Sequence, residues 1–230
     1  MKNIAIIPAR GGSKRIPKKN IKSFLGKPII AYSIEAAQKS KLFDEIVVSS
    51  DDPHILDIAH KYGATPVKRP NSLSDDNSTL FDVINHLITQ QKIHSSSHFA
   101  CIFATNPFIT SELLKKAYSS LVEKDSDTIL TVVKNPVAVS KLLSIKSGKI
   151  QRIDTENFGL KTQDLANLYY DAGMFYFCKT SVFLLSNSKR VCNGKIEPLI
   201  LNTQNTHDID TEQDWQTALV KFKNLSNATK

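Results

Sequence analysis

Apolar runs and polar breaks alternate along this chain at the spacings of strands and helices. Ile4, Ala5, Ile6 and Ile7 form an unbroken apolar run stopped by Pro8, which suits a central strand covered on both faces. Pro28 fits a first helical position, and Ile29, Ile30, Ser33, Ile34 and Ala37 recur as one covered helix face. EIVVSS at 45–50 predicts a second strand ending in the polar rim Ser49, Ser50, Asp51 and Asp52. Pro53, Ile55, Leu56, Ile58 and Ala59 then predict a helix that ends by Gly63, so either aspartate is also a cap candidate. Residues 65–68 read as a short strand, and Ser78 leads a helix whose buried stripe is Leu80, Val83, Ile84, Leu87 and Ile88. Strand 99–103, a helix face of Leu113, Leu114, Ala117, Tyr118 and Leu121, and strand 127–134 complete the regular part.

The alternation then breaks. Residues 135–170 hold scattered Val, Leu and Ile, a turn signal at Ser147-Gly148 and the polar KTQDLANLYY, but no long amphipathic helix. That composition predicts short strands and loops projecting from the main body. Residues 173–178 return to a strand pattern, 181–185 suggest a short helix and 198–201 a buried segment. The final helix follows THDIDTEQDW, with Thr211 as cap, Asp214 as its reciprocal partner and Trp215, Leu219 and Phe222 facing inward. Strands alternating with helices, with polar clusters after the strands, predict an open three-layer α/β fold with ligand chemistry across the sheet rim. The length of 230 residues and the absence of repeats favour one domain over 1–230, with 135–170 as its excursion.

Charge narrows the partners without choosing one. A net +8 favours anions, and without aromatic interleaving it does not choose between nucleotide, sugar acid, nucleic acid and membrane; nucleic acid is the weakest of these readings and is not expected as a partner. No long apolar span suggests a membrane helix, and MKN enters a strand at once instead of a secretory signal, so the expectation is a cytoplasmic protein with no membrane partner. Cys101 and Cys178 sit in apolar runs and Cys192 beside Asn193-Gly194, a spacing that suits neither a disulfide framework nor a zinc site.

Candidate chemistry concentrates in two places. After the first strand, Gly11, Gly12 and Ser13 permit close backbone approach among Arg10, Lys14, Arg15, Lys18 and Lys19, the composition of a phosphate-binding loop. It lacks the glycine spacing of a dinucleotide fingerprint and the Gly-Lys-Ser/Thr of a P-loop, so hydride transfer and conventional nucleotide hydrolysis lose support. Near the end, an extended Asp208-Ile209-Asp210 puts both carboxylates on one face, where they could share magnesium; capping of the terminal helix is the competing reading. Asp51, Asp52, Asp75 and Asp76 are weaker acidic candidates, and His207 is expected to face solvent.

With these residues in view, the sequence resembles the acylneuraminate cytidylyltransferase family, the CMP-sialic acid synthetases, and most closely its CMP-pseudaminic acid synthetases. IIPARGGSKRIPKKN, GKPIIAYSIEAA, the SSDD rim, RP with a following acidic segment, YYDAGMFYF and DIDTEQDW carry the resemblance over nearly the whole chain. It implies a three-layer Rossmann-like nucleotidyltransferase fold, CTP as substrate, Mg2+ as cofactor, CMP transfer to the anomeric hydroxyl of a nine-carbon α-keto sugar acid, and a homodimer closed by the 135–170 projection. Matched to the family motifs, Arg10, Ser13, Lys14, Lys19, Asn20 and Arg69 are expected on the nucleotide, and Asp208 and Asp210 on the metal. Arg10, Lys14, Lys19, Asp208 and Asp210 are expected to support catalysis.

Two departures bear on the sugar. Sialate-using relatives usually carry a glutamine-containing segment where this chain has Phe103-Ala104-Thr105-Asn106-Pro107, and often an arginine at Lys161. IFATNPF and YYDAGMFYF resemble the pseudaminate branch, so Phe103, Asn106, Lys161, Asp171 and Gly173 are the expected sugar contacts. Asp171 is equally an ordinary turn residue, and Met174, Phe175, Tyr176 and Phe177 read first as strand packing. The alternatives are activation of N-acetylneuraminate or another nonulosonate, and a noncatalytic nucleotide- or anion-binding protein.

Overall fold

A computed structural model describes residues 2–90, 97–154 and 165–228. Strand β1 (Asn3–Pro8) leads into a basic loop, a short hairpin of β2 (Ser23–Phe24) and β3 (Lys27–Pro28), and helix α1 (Ile29–Ser40). Next come β4 (Glu45–Ser50), α2 (Pro53–Lys61), β5 (Thr65–Lys68), α3 (Leu80–Gln90), β6 (His98–Ile102), α4 (Ser111–Glu123) and β7 (Thr128–Lys134). A hairpin of β8 (Leu143–Lys146) and β9 (Lys149–Arg152) follows, then β10 (Tyr169–Lys179), α5 (Thr180–Leu185), β11 (Ile196–Leu201) and α6 (Glu212–Ala228).

Seven strands form the main sheet in the order β11-β7-β10-β6-β1-β4-β5. The period-2 alternation of β1 divides the core between the two sheet faces. Ala5 and Ile7 pack with Ile30 and Ile34 of α1, Leu114 of α4 and Trp215 of α6; Ile4 and Ile6 pack with Val83 and Leu87 of α3 and Phe183 of α5. The sheet is thus covered on both sides, as an unbroken apolar first strand demands, and the three-layer expectation holds.

Several boundaries differ from the sequence reading. Pro8 belongs to β1, and Pro28, with extended ψ of 137°, stands just ahead of α1 instead of inside it. Thr79, not Ser78, caps α3: its N–H donates to Asp82 Oδ2 at 3.0 Å while its Oγ1 accepts from Asp82 N at 3.2 Å, and Ser78 Oγ turns back to Asp75 Oδ1 at 2.6 Å. β10 begins four residues before the expected strand and runs antiparallel to both β6 and β7, with a register break between Asp171 and Tyr176. The expected excursion holds β8 and β9, whose residues are all exposed and which form a sheet of their own. Cys101 and Cys178 are buried, and burial pushes both thiols well up. Among the described residues, no helix is long and apolar enough to cross a membrane.

Candidate active site

The basic loop folds against the β4 rim. Gly11 N–H donates to Asp51 Oδ1 at 2.9 Å, and a Cβ on Gly11 would lie 2.8 Å from Asp52 Cβ, so glycine is required by close approach. Asp52 caps α2, accepting from His54 N at 2.8 Å. Of the two rim aspartates, Asp52 thus takes the capping alternative, while Asp51 holds the loop.

The loop cations point into a cleft of about 420 Å³, also lined by Ser13 and Phe103. Arg10 and Lys14 grip one carboxylate, Asp76, at 2.9 and 2.6 Å. Lys14, then Arg10, hold the Asp76 carboxyl below the usual carboxylate range. Arg15 reaches Asp210 at 2.8 Å, while Lys19 donates to the Ile209 carbonyl at 2.5 Å and lies 3.4 Å from Asp210. The basic loop and the acidic segment, far apart in sequence, are joined here. Asp76 was only a weak candidate, because no local spacing signals a partner 62 residues away.

Asn20, expected on the nucleotide, lines the cleft from a buried position. It donates from Nδ2 to the Arg10 carbonyl at 2.7 Å and so braces the loop from inside. Arg69 lies beside a neighbouring cavity of about 290 Å³ that shares Pro8, Arg10 and Phe103 with the first. Its side chain bonds Ser49 through Nε at 3.3 Å and Nη2 at 2.8 Å, and it has no carboxylate partner within ion-pair distance among the described residues. Burial lowers the Arg69 pKa, with Asp51 opposing and Arg10 reinforcing that shift. A 4% exposed guanidinium with no direct ion pair is costly to bury, and the charge of Asp51 offsets only part of that cost.

Asp208 and Asp210 flank the fully buried Ile209, the alternation expected of an extended segment. Asp208 is exposed to solvent, yet desolvation by the cleft walls, then the charge of Asp210, push its carboxyl above the ordinary range. Thr211 and Asp214 make the expected reciprocal cap of α6, with Thr211 N donating at 2.7 Å and Asp214 N donating to Thr211 Oγ1 at 3.2 Å. Capping thus falls to Thr211 and Asp214, leaving Asp208 free of that task. His207 does not face solvent as expected: it is half-buried, its Nε2 is 3.7 Å from Asp214, and burial, then Lys221, lower its pKa.

The expected sugar residues divide. Phe103 faces both cavities and packs edge-on against Tyr176 at 5.5 Å. Asp171 has both oxygens engaged, accepting from Gly173 N at 2.9 Å and Tyr176 OH at 2.5 Å, which is its turn role within the β10 bulge. Gly173 has φ of +60°, and a Cβ there would lie 3.1 Å from the Asp208 carboxyl, so its chain position backs the acidic pair. Asn106 is buried and bonded to three backbone segments. Lys161 lies outside the described residues.

Comparison with known proteins bears on this arrangement. A family model described as cytidylyltransferase matches residues 4–229. The pseudaminic acid cytidylyltransferase of Campylobacter jejuni subsp. jejuni serotype O:2 is 37% identical over 229 residues, covering 97% of each chain. The CMP-N,N'-diacetyllegionaminic acid synthase of Legionella pneumophila is 33% identical, covering 94% of each chain. Among solved structures, CMP:2-keto-3-deoxy-manno-octonic acid synthetase complexed with CTP superposes with a TM-score of 0.71 over 97% of this chain and 99% of that one, at 14% identity. That likeness establishes a shared Rossmann-like nucleotidyltransferase fold.

Proposed function

The chain belongs to the cytidylyltransferase family, and from that premise we propose that it transfers CMP from CTP to the anomeric hydroxyl of pseudaminic acid, releasing pyrophosphate. The observation that carries the reading is that Arg15 and Lys19 join the basic loop to the Asp208-Ile209-Asp210 segment at the sheet rim, while Arg10 and Lys14 of the same loop converge on Asp76. Triphosphate oxygens would take the place of Asp76 on Arg10 and Lys14, and the buried Arg69 would receive the nucleoside end in the adjoining cavity. Ser13 adds a hydroxyl donor, and Asn20 keeps the loop in shape. The anomeric oxygen attacks the α-phosphorus in line, forming the new P–O bond as the bridging α–β oxygen leaves with pyrophosphate, and the hydroxyl proton passes to solvent.

The carboxylates suit Mg2+. Asp208 accepts no hydrogen bond or ion pair among the described residues, whereas Arg15 and Lys19 both reach Asp210, so the Asp208 oxygens are the ones left open to a cation. One or two carboxylates completed by substrate phosphates and water are ordinary magnesium coordination. Bound there, magnesium would screen the triphosphate from the aspartates and polarise the reacting phosphoryl group. Lys19 and Arg15 hold Asp210 at the cleft, and Gly173 supports Asp208 from behind.

The same reading makes the protein a cytoplasmic homodimer, working where CTP is kept, with the 135–170 excursion as its interface and single body 1–230 as its domain. The sugar assignment rests on the full-length relative that acts on pseudaminic acid and on Phe103 standing at the cleft where sialate users have a glutamine-containing segment. Pyrophosphate release and CMP-sugar formation should be measured with CTP, Mg2+ and each of pseudaminic, N,N'-diacetyllegionaminic and N-acetylneuraminic acid. The expected result is the highest kcat/KM for pseudaminic acid by roughly 10-fold or more, since one unpaired polar group costs about 1 to 3 kcal/mol. Equal or reversed values would overturn the sugar assignment, and no turnover with any of them would favour a binding protein.

A further inference from the structure

We infer that Asn106 is a positioning residue for Asp208 and not a sugar contact, an inference that rests on the metal-assisted reading above. Asn106 lies after β6, 2% exposed, with both N–H groups given to backbone of distant segments and its oxygen accepting from its own connection. Nδ2 donates to the Gly173 carbonyl at 3.2 Å and the His207 carbonyl at 3.4 Å, while Oδ1 accepts from Phe108 N at 3.2 Å. A flipped amide would set its oxygen against two carbonyls and its NH2 against an N–H, so the network itself fixes the orientation.

Two of those partners adjoin Asp208 from opposite sides. His207 immediately precedes it, and Gly173 is the residue on whose bare α-carbon its carboxyl rests, 3.1 Å from where a Cβ would stand. Asp208 itself gains no positioning hydrogen bond among the described residues, so its place is set through the backbone that Asn106 ties together. Serving both donors and an acceptor to protein backbone, the buried amide has no free N–H to offer a sugar. Outer partners of this kind commonly change metal affinity or activity by roughly 10- to 100-fold.

Asn106→Ala should lower kcat by roughly 10- to 100-fold with KM for pseudaminic acid within about twofold of wild type. Mn2+ binding in the presence of CTP, followed without turnover by loss of the free-ion EPR signal, should weaken to a comparable degree. Because both residues act through one carboxylate, Asn106→Ala combined with Asp208→Asn should be within about twofold of Asp208→Asn alone. If the alanine variant unfolds at assay temperature, Asn106→Ser, which keeps a neutral polar group but cannot donate to both carbonyls, carries the same comparison. A raised sugar KM at unchanged kcat, unchanged Mn2+ binding, or multiplicative loss in the double variant would overturn the inference. Full activity of Asp208→Asn would instead sink the metal reading, and this inference with it.

Discussion

At the scale of single residues, the active-site carboxylate is where function and stability pull apart. Desolvation in the cleft, then the charge of Asp210, hold the Asp208 carboxyl above its ordinary range, so its folded pKa exceeds its unfolded one, by an amount that its exposure to solvent keeps small. Its contribution is therefore fully favourable only below the unfolded pKa and is lost as pH rises through the folded value; at neutral pH the ionised carboxylate opposes folding. Asp208→Asn should consequently raise Tm in metal-free buffer at pH 7.5 and narrow its Tm difference from wild type towards pH 3, as calorimetry across pH would show. The same variant should lose more turnover than the roughly 10- to 100-fold typical of an outer partner, because it removes a proposed metal ligand. A lower Tm at neutral pH would mean that the carboxylate has a stabilising partner. Arg69 and Asn106 make the complementary point about legibility. Their types and positions were visible in RP and ATNPF, but burial to 4% and 2% was not, because it is imposed by segments distant in sequence.

At the scale of elements, the terminal cap couples helix stability to the acidic segment. Asp214 Oδ2 accepts from Thr211 N at 2.7 Å, Thr211 Oγ1 at 2.7 Å and Asp210 N at 3.2 Å, so one carboxylate satisfies the start of α6 and holds the end of the acidic pair. Thr211→Ala removes a cap worth about 1 kcal/mol, which for a chain of this size should lower Tm by about 2 to 4 °C in calorimetry. No change would show that Asp214 caps α6 without its partner. This cap was readable because its residues are three apart, as were α1, α2 and the apolar β1, whose signals are local. β10 was only half readable. Gly173–Cys178 has the strand pattern, but Tyr169–Ala172 extends it by pairing with β7, and its antiparallel direction follows from the whole topology. Asp171 illustrates the same limit: a bulge, not a pocket, sets its side-chain bonds.

At the scale of the whole molecule, the β8–β9 hairpin is the element that the chain by itself leaves unfinished. A two-stranded hairpin is at best marginal in water unless something packs on it, yet every residue of these strands is exposed. Ile145 and Ile150 are direct cross-strand partners, 75% and 68% exposed, and Leu143 and Ile153 add further apolar surface nearby. Such a patch is economically covered by a second copy about a two-fold axis, since each copy then buries the same residues. The main sheet has its own core on both faces and does not depend on the hairpin for it. Ile145→Asp with Ile150→Asp should therefore shift the proposed dimer to monomers in sedimentation velocity while leaving the near-UV circular dichroism of the aromatic core in place. If the partner closes the sugar side of the cleft, the monomer should show a raised KM for the sugar acid with CTP binding within about twofold of wild type. A wild-type protein that is monomeric and fully active at assay concentration would remove the dimer requirement. A double variant that stays dimeric would move the interface away from the hairpin.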